Sequence, residues 1–127
     1  MKNLLILITI MLVGGCATPL TPEQKQKALR DSAVGTYEEK QDGDTYRLVL
    51  LENGISERYT NGKKEEKEGK WKISEEGELH DNTYSNRYIW VYRINKDGSI
   101  TIIARIDADG KRKEAPKDKQ MTFKKIK

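Results

Sequence analysis

Short turns set the rhythm of this chain. Asp42-Gly43, Asn53-Gly54, Asn61-Gly62, Glu76-Gly77, Asp97-Gly98 and Asp109-Gly110 recur at close intervals from residue 42 onward. Glycine supplies the positive φ that a tight turn needs, and Asn and Asp tolerate the left-handed conformation beside it. Strand-like runs fill the gaps. Tyr46, Leu48 and Leu50 alternate with Arg47, Val49 and Leu51, while Gly69, Trp71 and Ile73 alternate with lysines. Tyr88, Trp90, Tyr92 and Ile94 share one face of a third run. Ile100, Ile102, Ala104 and Ile106 share one face of a fourth, and Met121, Phe123 and Lys125 suggest a closing strand. Alternation with period two is the mark of half-buried strands. The expectation is all-β: about eight short antiparallel strands in an up-and-down meander, curled into a half-open or closed barrel or packed as a sandwich.

A chain of 127 residues forms one domain at most. Charged residues make up 35% of it, a level compatible with disorder, but the clustering of apolar residues into short runs argues for a fold. Cys16 is the only cysteine, so no intramolecular disulfide can form. The net charge of +4 is unevenly spread. Lys111 to Lys127 carries eight Lys/Arg against two acids, and Cys16 to Gly110 carries fifteen against eighteen. Such a basic segment suits anionic lipid or another polyanionic envelope partner. It equally suits solvated lysines that keep an edge strand from pairing with other chains.

The first residues read as an address. Met1-Lys2-Asn3 brings one positive charge, and Leu4 to Val13 is apolar except for Thr9. A helix of that length spans ~15 Å, half the ~30 Å of a bilayer core, so the run suits a signal peptide rather than a permanent span. Val13-Gly14-Gly15-Cys16 follows, and it resembles the lipobox of bacterial lipoproteins. Small residues at Gly14 and Gly15 let the backbone lie in a protease cleft, and the Cys16 thiol is the nucleophile that accepts diacylglycerol. The resemblance implies cleavage before Cys16, acylation of its sulfur and often of its new amino group, and a nearly permanent membrane anchor. It places the mature chain in the cell envelope. Ala17 lacks the aspartate associated with inner-membrane retention, which implies the outer membrane if the source has one.

After a tether of Ala17 to Leu20, Thr21-Pro22-Glu23-Gln24 reads as a helix start, with Thr21 as cap and Gln24 at the capping-box position. The helix is expected to run to about Arg30. The division is therefore a removed segment over 1–15, a lipidated tether and short helix over 16–33, and a β domain over 34–127. Gly35-Thr36-Tyr37 resembles the Gly-x-Trp opening of lipocalins, with tyrosine in place of tryptophan. Tyr59 to Lys64 with Gly69-Lys70-Trp71 is similar to one MORN-type repeat, a β-hairpin unit.

Little points to chemistry. His80 is the only histidine; Asp81 beside it suggests a relay, yet no positioned nucleophile accompanies them. Asp97-Gly98 and Asp109-Gly110 have the look of calcium loops, but a loop centred on either glycine lacks the glutamate at its twelfth position, and no Cys/His cluster suits a transition metal. No cofactor and no metal is expected. Glu65, Glu66, Glu68, Glu75, Glu76 and Glu78 read as a solvated face. Trp71, Tyr88, Trp90 and Tyr92 serve either as core or as a stacking platform for a ligand. The expected function is a non-enzymatic, membrane-tethered binding module for another envelope component, with no nucleic-acid partner. The alternative is a lipocalin-like carrier whose cavity would be lined by Leu48, Leu50, Trp71, Trp90 and Ile102.

Overall fold

Thr21 caps a helix, α1 (Pro22–Ala33), in the expected way. Its hydroxyl accepts from the Gln24 amide at 3.1 Å, and the Gln24 side chain accepts from the Thr21 amide at 2.9 Å. Two of the donors that a helix start leaves unsatisfied are thereby paired. The helix runs three residues past the expected Arg30 because its last turn is held from both sides. Ala33 is buried, its carbonyl accepts from the Tyr37 hydroxyl at 2.6 Å, and Ser32 donates to the Leu29 carbonyl.

The computed structural model describes residues 19–82 and 87–127. Ten strands follow α1: β1 (Gly35–Gln41), β2 (Asp44–Leu50), β3 (Ile55–Thr60), β4 (Lys63–Lys64), β5 (Gly69–Ile73), β6 (Leu79–Asp81), β7 (Ile89–Ile94), β8 (Ile100–Ile106), β9 (Arg112–Glu114) and β10 (Thr122–Lys125). Each main strand pairs antiparallel with the next, and β10 closes the ring by pairing with β1 on one side and β8 on the other. The result is an eight-stranded closed barrel of lipocalin-like shape, with β4 added to β3 and β9 added to β8. All six glycines of the turn pairs have positive φ. In Asp42-Gly43 and Asn61-Gly62 the residue before glycine is left-handed too, the geometry whose twist matches that of the strands it joins. The hairpin suggested for Tyr59 to Lys64 forms around the second of these.

The acidic loops are turns held by their own side chains. The Asp97 carboxylate accepts from the Ser99 amide at 2.9 Å and from its hydroxyl at 2.6 Å, and Asp109 accepts from the Lys111 amide.

Leu48, Leu50, Leu79, Tyr92, Ile100 and Phe123 are all at most 1% exposed and fill the barrel from the end where α1 lies. The helix crosses that end. Gln26 donates to the Ile73 carbonyl at 2.6 Å, Leu29 lies against Gly77, and Arg30 donates to the Glu52 carbonyl while its guanidinium sits 5.0 Å from the centre of the Trp71 ring. At Gly35, where helix hands over to barrel, a Cβ would collide with the Lys127 carbonyl and the Lys125 side chain, so the close approach requires glycine.

β3 turns a charged residue inward, and β8 differs from the alternation read in the sequence. In β3 the inward set is Ser56 and Arg58, and Ile55 and Tyr59 face out. The tight turn at Asn53-Gly54 pairs Leu50 with Ser56 and Leu48 with Arg58, and register overrides hydrophobicity there. In β8, Ile100 and Ile102 do face in, but Ala104 and Ile106 do not share their face. Tyr92 pairs with Ile102 whereas Val91 pairs with Ala104, so Ile103 is an extra residue, a β-bulge. One added residue reverses every side chain beyond it. Arg105 is thus turned to the side of Trp90, its partner across the ladder.

Candidate functional site at the barrel end opposite the helix

The interior is not apolar throughout. Ser56, Arg58 and Asp81, directly across the ladder from Leu50, Leu48 and Trp71, are buried at 0%, 1% and 0% exposure. The Ser56 hydroxyl donates to Asp81 at 2.6 Å. Burying charge is costly unless it is compensated, and both Arg58 and Asp81 are engaged by partners. The sequence reading missed Arg58 and named Asp81 only as the neighbour of His80. The signal was present in the register that Asn53-Gly54 imposes on β3.

Beyond this layer the β-bulge assembles a second cluster. The Arg105 guanidinium lies 4.7 Å from the centre of the Tyr88 ring, and the Tyr88 and Trp90 rings are 6.2 Å apart and tilted by 54°. Arg105 is also 3.4 Å from Asp107, which is 3.8 Å from Lys113 on β9. A hollow of about 430 Å³ lies here, lined by Arg87, Tyr88, Arg105, Asp107, Asp109 and Lys113, with Ala108. Tyr88 and Trp90 remain half-buried. A guanidinium stacked on an aromatic ring presents a flat face for dispersion contact and donors for oxygen acceptors.

The expected aromatic set therefore divides. Tyr88 lines this site, and Trp90, 6.2 Å behind its ring, packs against the core. Tyr92, deeper on the same face of β7, is fully buried against Phe123 with ring centres 6.2 Å apart. Trp71 is 4% exposed at the opposite end, and its indole N–H donates to the Leu51 carbonyl at 2.9 Å. Those two belong to the core.

His80 and Asp81 point to opposite faces of β6, so no relay joins them. The imidazole lies on the outer wall, where His80 pairs with Lys72 on one side and Val91 on the other. Its Nε2 is 3.9 Å from Glu78, which Arg112 grips at 2.8 and 3.1 Å. Burial holds the His80 pKa below its usual 6.5, with Lys72 and Arg112 pushing the same way and Glu78 and Glu76 opposing. The Arg112 hydrogen bonds hold the Glu78 carboxyl below the ordinary 4.5. Glu68, at the surface, is lowered first by its hydrogen bond from Lys64. In the core, burial raises the Tyr37 hydroxyl to about 12.

The basic segment Lys111 to Lys127 is not one surface. Lys111, Arg112 and Lys113 lie at or beside the wall of the site described above, whereas Lys124, Lys125 and Lys127 run down β10 to the helix end. Arg112, Lys113 and Glu114 of β9 are all exposed on an edge strand. No group of three or more His, Cys, Asp or Glu side chains that could hold a metal ion occurs among the described residues. No helix among them is long and apolar enough to cross a membrane. Cys16 and its neighbours Val13, Gly14 and Gly15 lie outside the described residues. No family model, curated protein or solved structure matches the chain.

Proposed function

We propose that this chain is a non-enzymatic binding module of the bacterial envelope, held on a bilayer by acyl chains on Cys16, which engages another envelope component through Tyr88, Trp90 and Arg105. One observation carries the reading. Apolar side chains fill the barrel under α1, and a hollow of about 440 Å³ lies beside Trp71, His80 and Asp81; at the other end a bulge turns a guanidinium onto Tyr88, itself tilted against Trp90, beside a hollow of about 430 Å³. Lys113 adds positive charge there, so the fitting partner offers a flat or anionic group.

The carrier alternative draws less support. Leu48, Leu50 and Trp71, which would line its cavity, are 0%, 1% and 4% exposed and packed into the core, so an apolar ligand would have to displace them.

The test joins address to site. Mass spectrometry of the mature protein is expected to show an acylated Cys16 at the new N-terminus. A photocrosslinking residue in place of Ala108, used in intact envelopes, is expected to give a discrete adduct that Tyr88→Ala and Arg105→Ala each abolish. An adduct pattern unchanged by both substitutions would remove the site, and an unmodified Cys16 sulfur would remove the anchor.

A further inference from the structure

The described residues expose two large apolar side chains, Leu20 at 50% and Ile126 at 43%. Both stand at the helix end of the barrel. Leu20 immediately precedes the Thr21 cap, and the Ile126 amide donates to the Thr36 carbonyl at 2.8 Å, beside the junction of α1 and β1. Between them runs the outward side of α1, since Gln26, Leu29, Arg30 and Ala33 are the residues turned onto the barrel. Lys25 on that helix, and Lys124 and Lys127 on and after β10, are exposed and form no ion pair among the described residues. The helix's Asp31 is answered by Lys27 at 2.8 Å.

We infer that this end of the barrel lies directly on an anionic bilayer, with Leu20 and Ile126 entering the headgroup layer and Lys25, Lys124 and Lys127 meeting lipid phosphates. The inference rests on the acylation of Cys16 for its reach. Five residues separate Cys16 from Pro22, and the six Cα-to-Cα steps this makes span at most about 22 Å. The first turn of α1 is therefore tied within one barrel length of the membrane surface. Apolar side chains flanked by lysines are the combination that an anionic interface binds. Glu75 and Glu76, exposed on the β5–β6 turn, disfavour contact at that turn, while exposed Glu23 shares the first turn of α1 with Lys25. The pose points the Tyr88–Trp90–Arg105 cluster away from the lipid, toward whatever the envelope offers.

The pose can be read with one probe at two places. Acylation blocks the Cys16 sulfur, so an introduced cysteine is the single reactive thiol of the full acylated protein. An environment-sensitive fluorophore goes on Ile126→Cys or on Ala108→Cys. The labelled protein is reconstituted in phosphatidylglycerol–phosphatidylethanolamine vesicles carrying nitroxide-headgroup lipid. Strong quenching at 126 with little at 108 is expected; equal quenching, or more at 108, overturns the pose. In a second arm, the mature chain from residue 16 onward, with Cys16→Ala and without residues 1–15, is sedimented with the same vesicles or with phosphatidylcholine alone. Binding is expected only to the anionic vesicles, and Lys25→Gln with Lys127→Gln is expected to weaken it by about 25-fold, roughly fivefold per lysine. Binding that ignores lipid charge and both lysines overturns the surface. A free Cys16 sulfur in the purified protein would sink the anchor alone, because the sedimentation arm decides the surface without it.

Discussion

The apolar and the charged parts of this barrel's interior stand side by side on paired strands and hold together in different ways. At the helix end, Leu50, Ile73, Leu79 and Ile100 pack under α1, and stability comes from apolar area removed from water. Across the ladder from Leu50, Leu48 and Trp71 the inward residues are Ser56, Arg58 and Asp81, so stability there depends on compensating buried charge. The first kind of order is tolerant of detail and rigid. The second is exacting, and it leaves polar groups next to a rim where Tyr88 and Arg105 are still accessible. Where a small barrel spends polar residues on its interior, packing alone does not account for them, and the site is proposed beside that layer.

The contrast is broken most sharply at its charged layer. Asp81→Ala is expected to cost about 3–5 kcal/mol, because Arg58 stays buried after the only buried carboxylate among the described residues has gone. A joint replacement, Arg58→Met with Asp81→Leu, is expected to recover most of that loss by turning the layer apolar, and denaturant unfolding reads both. If the double variant is as unstable as the single one, charge compensation is not what holds this end. Leu79→Ala, at the helix end and fully buried, is expected to cost about 2–5 kcal/mol through lost transfer energy and a residual cavity. No charged partner should restore it.

Smaller effects sharpen the same division. Thr21→Ala removes the side-chain half of the capping box and is expected to cost about 1 kcal/mol. Hydrogen exchange would show that loss as faster opening of α1, with the far end unchanged. Tyr88→Ala and Arg105→Ala strip a partly exposed cation–π contact worth about 0.5–1 kcal/mol and are expected to leave the unfolding midpoint close to wild type. Their effect belongs in the crosslinking adduct. A large loss of stability in either would recast the cluster as core.

Much of the fold was legible, and the inward charges and the bulge were not. The capping box, the turns and the buried sets of β2 and β5 follow from local rules, since Thr21, Asp42-Gly43 and Trp71-Lys72-Ile73 carry their signals within a few residues. Arg58 and Arg105 were missed because each is placed by pairing. In Ile55–Thr60 the apolar residues suggest one face, and the turn to β2 imposes the other. In Ile100–Ile106 a continuous alternation of apolar residues conceals a bulge that only the ladder with β7 reveals. Hydrophobic period reports the core where core is all that a strand supplies, and it fails where register assigns a charged residue to the inside.

The smallest expected effect lies on the outer wall between the two ends, at His80. In the native protein burial disfavours its charged form, while in the unfolded chain it protonates near its ordinary value of 6.5. As pH falls through 6.5 the unfolded state therefore binds the proton first, and stability declines with it. That contribution is absent above 6.5 and grows until the native histidine protonates as well. Glu78 acts lower down. Its carboxyl is depressed below 4.5 in the native state, so the stability it supplies is present above 4.5 and is lost as pH falls through its folded value. Two limbs should appear in a plot of unfolding free energy against pH, a shallow one beginning near 6.5 and a steeper one beginning near 4.5, where Glu68 and Asp97 add to Glu78. His80→Gln should flatten the first and leave the second. If the variant keeps the shallow limb, some group other than this imidazole titrates there, and the outer wall is not where the two ends of the barrel come to share a response to acid.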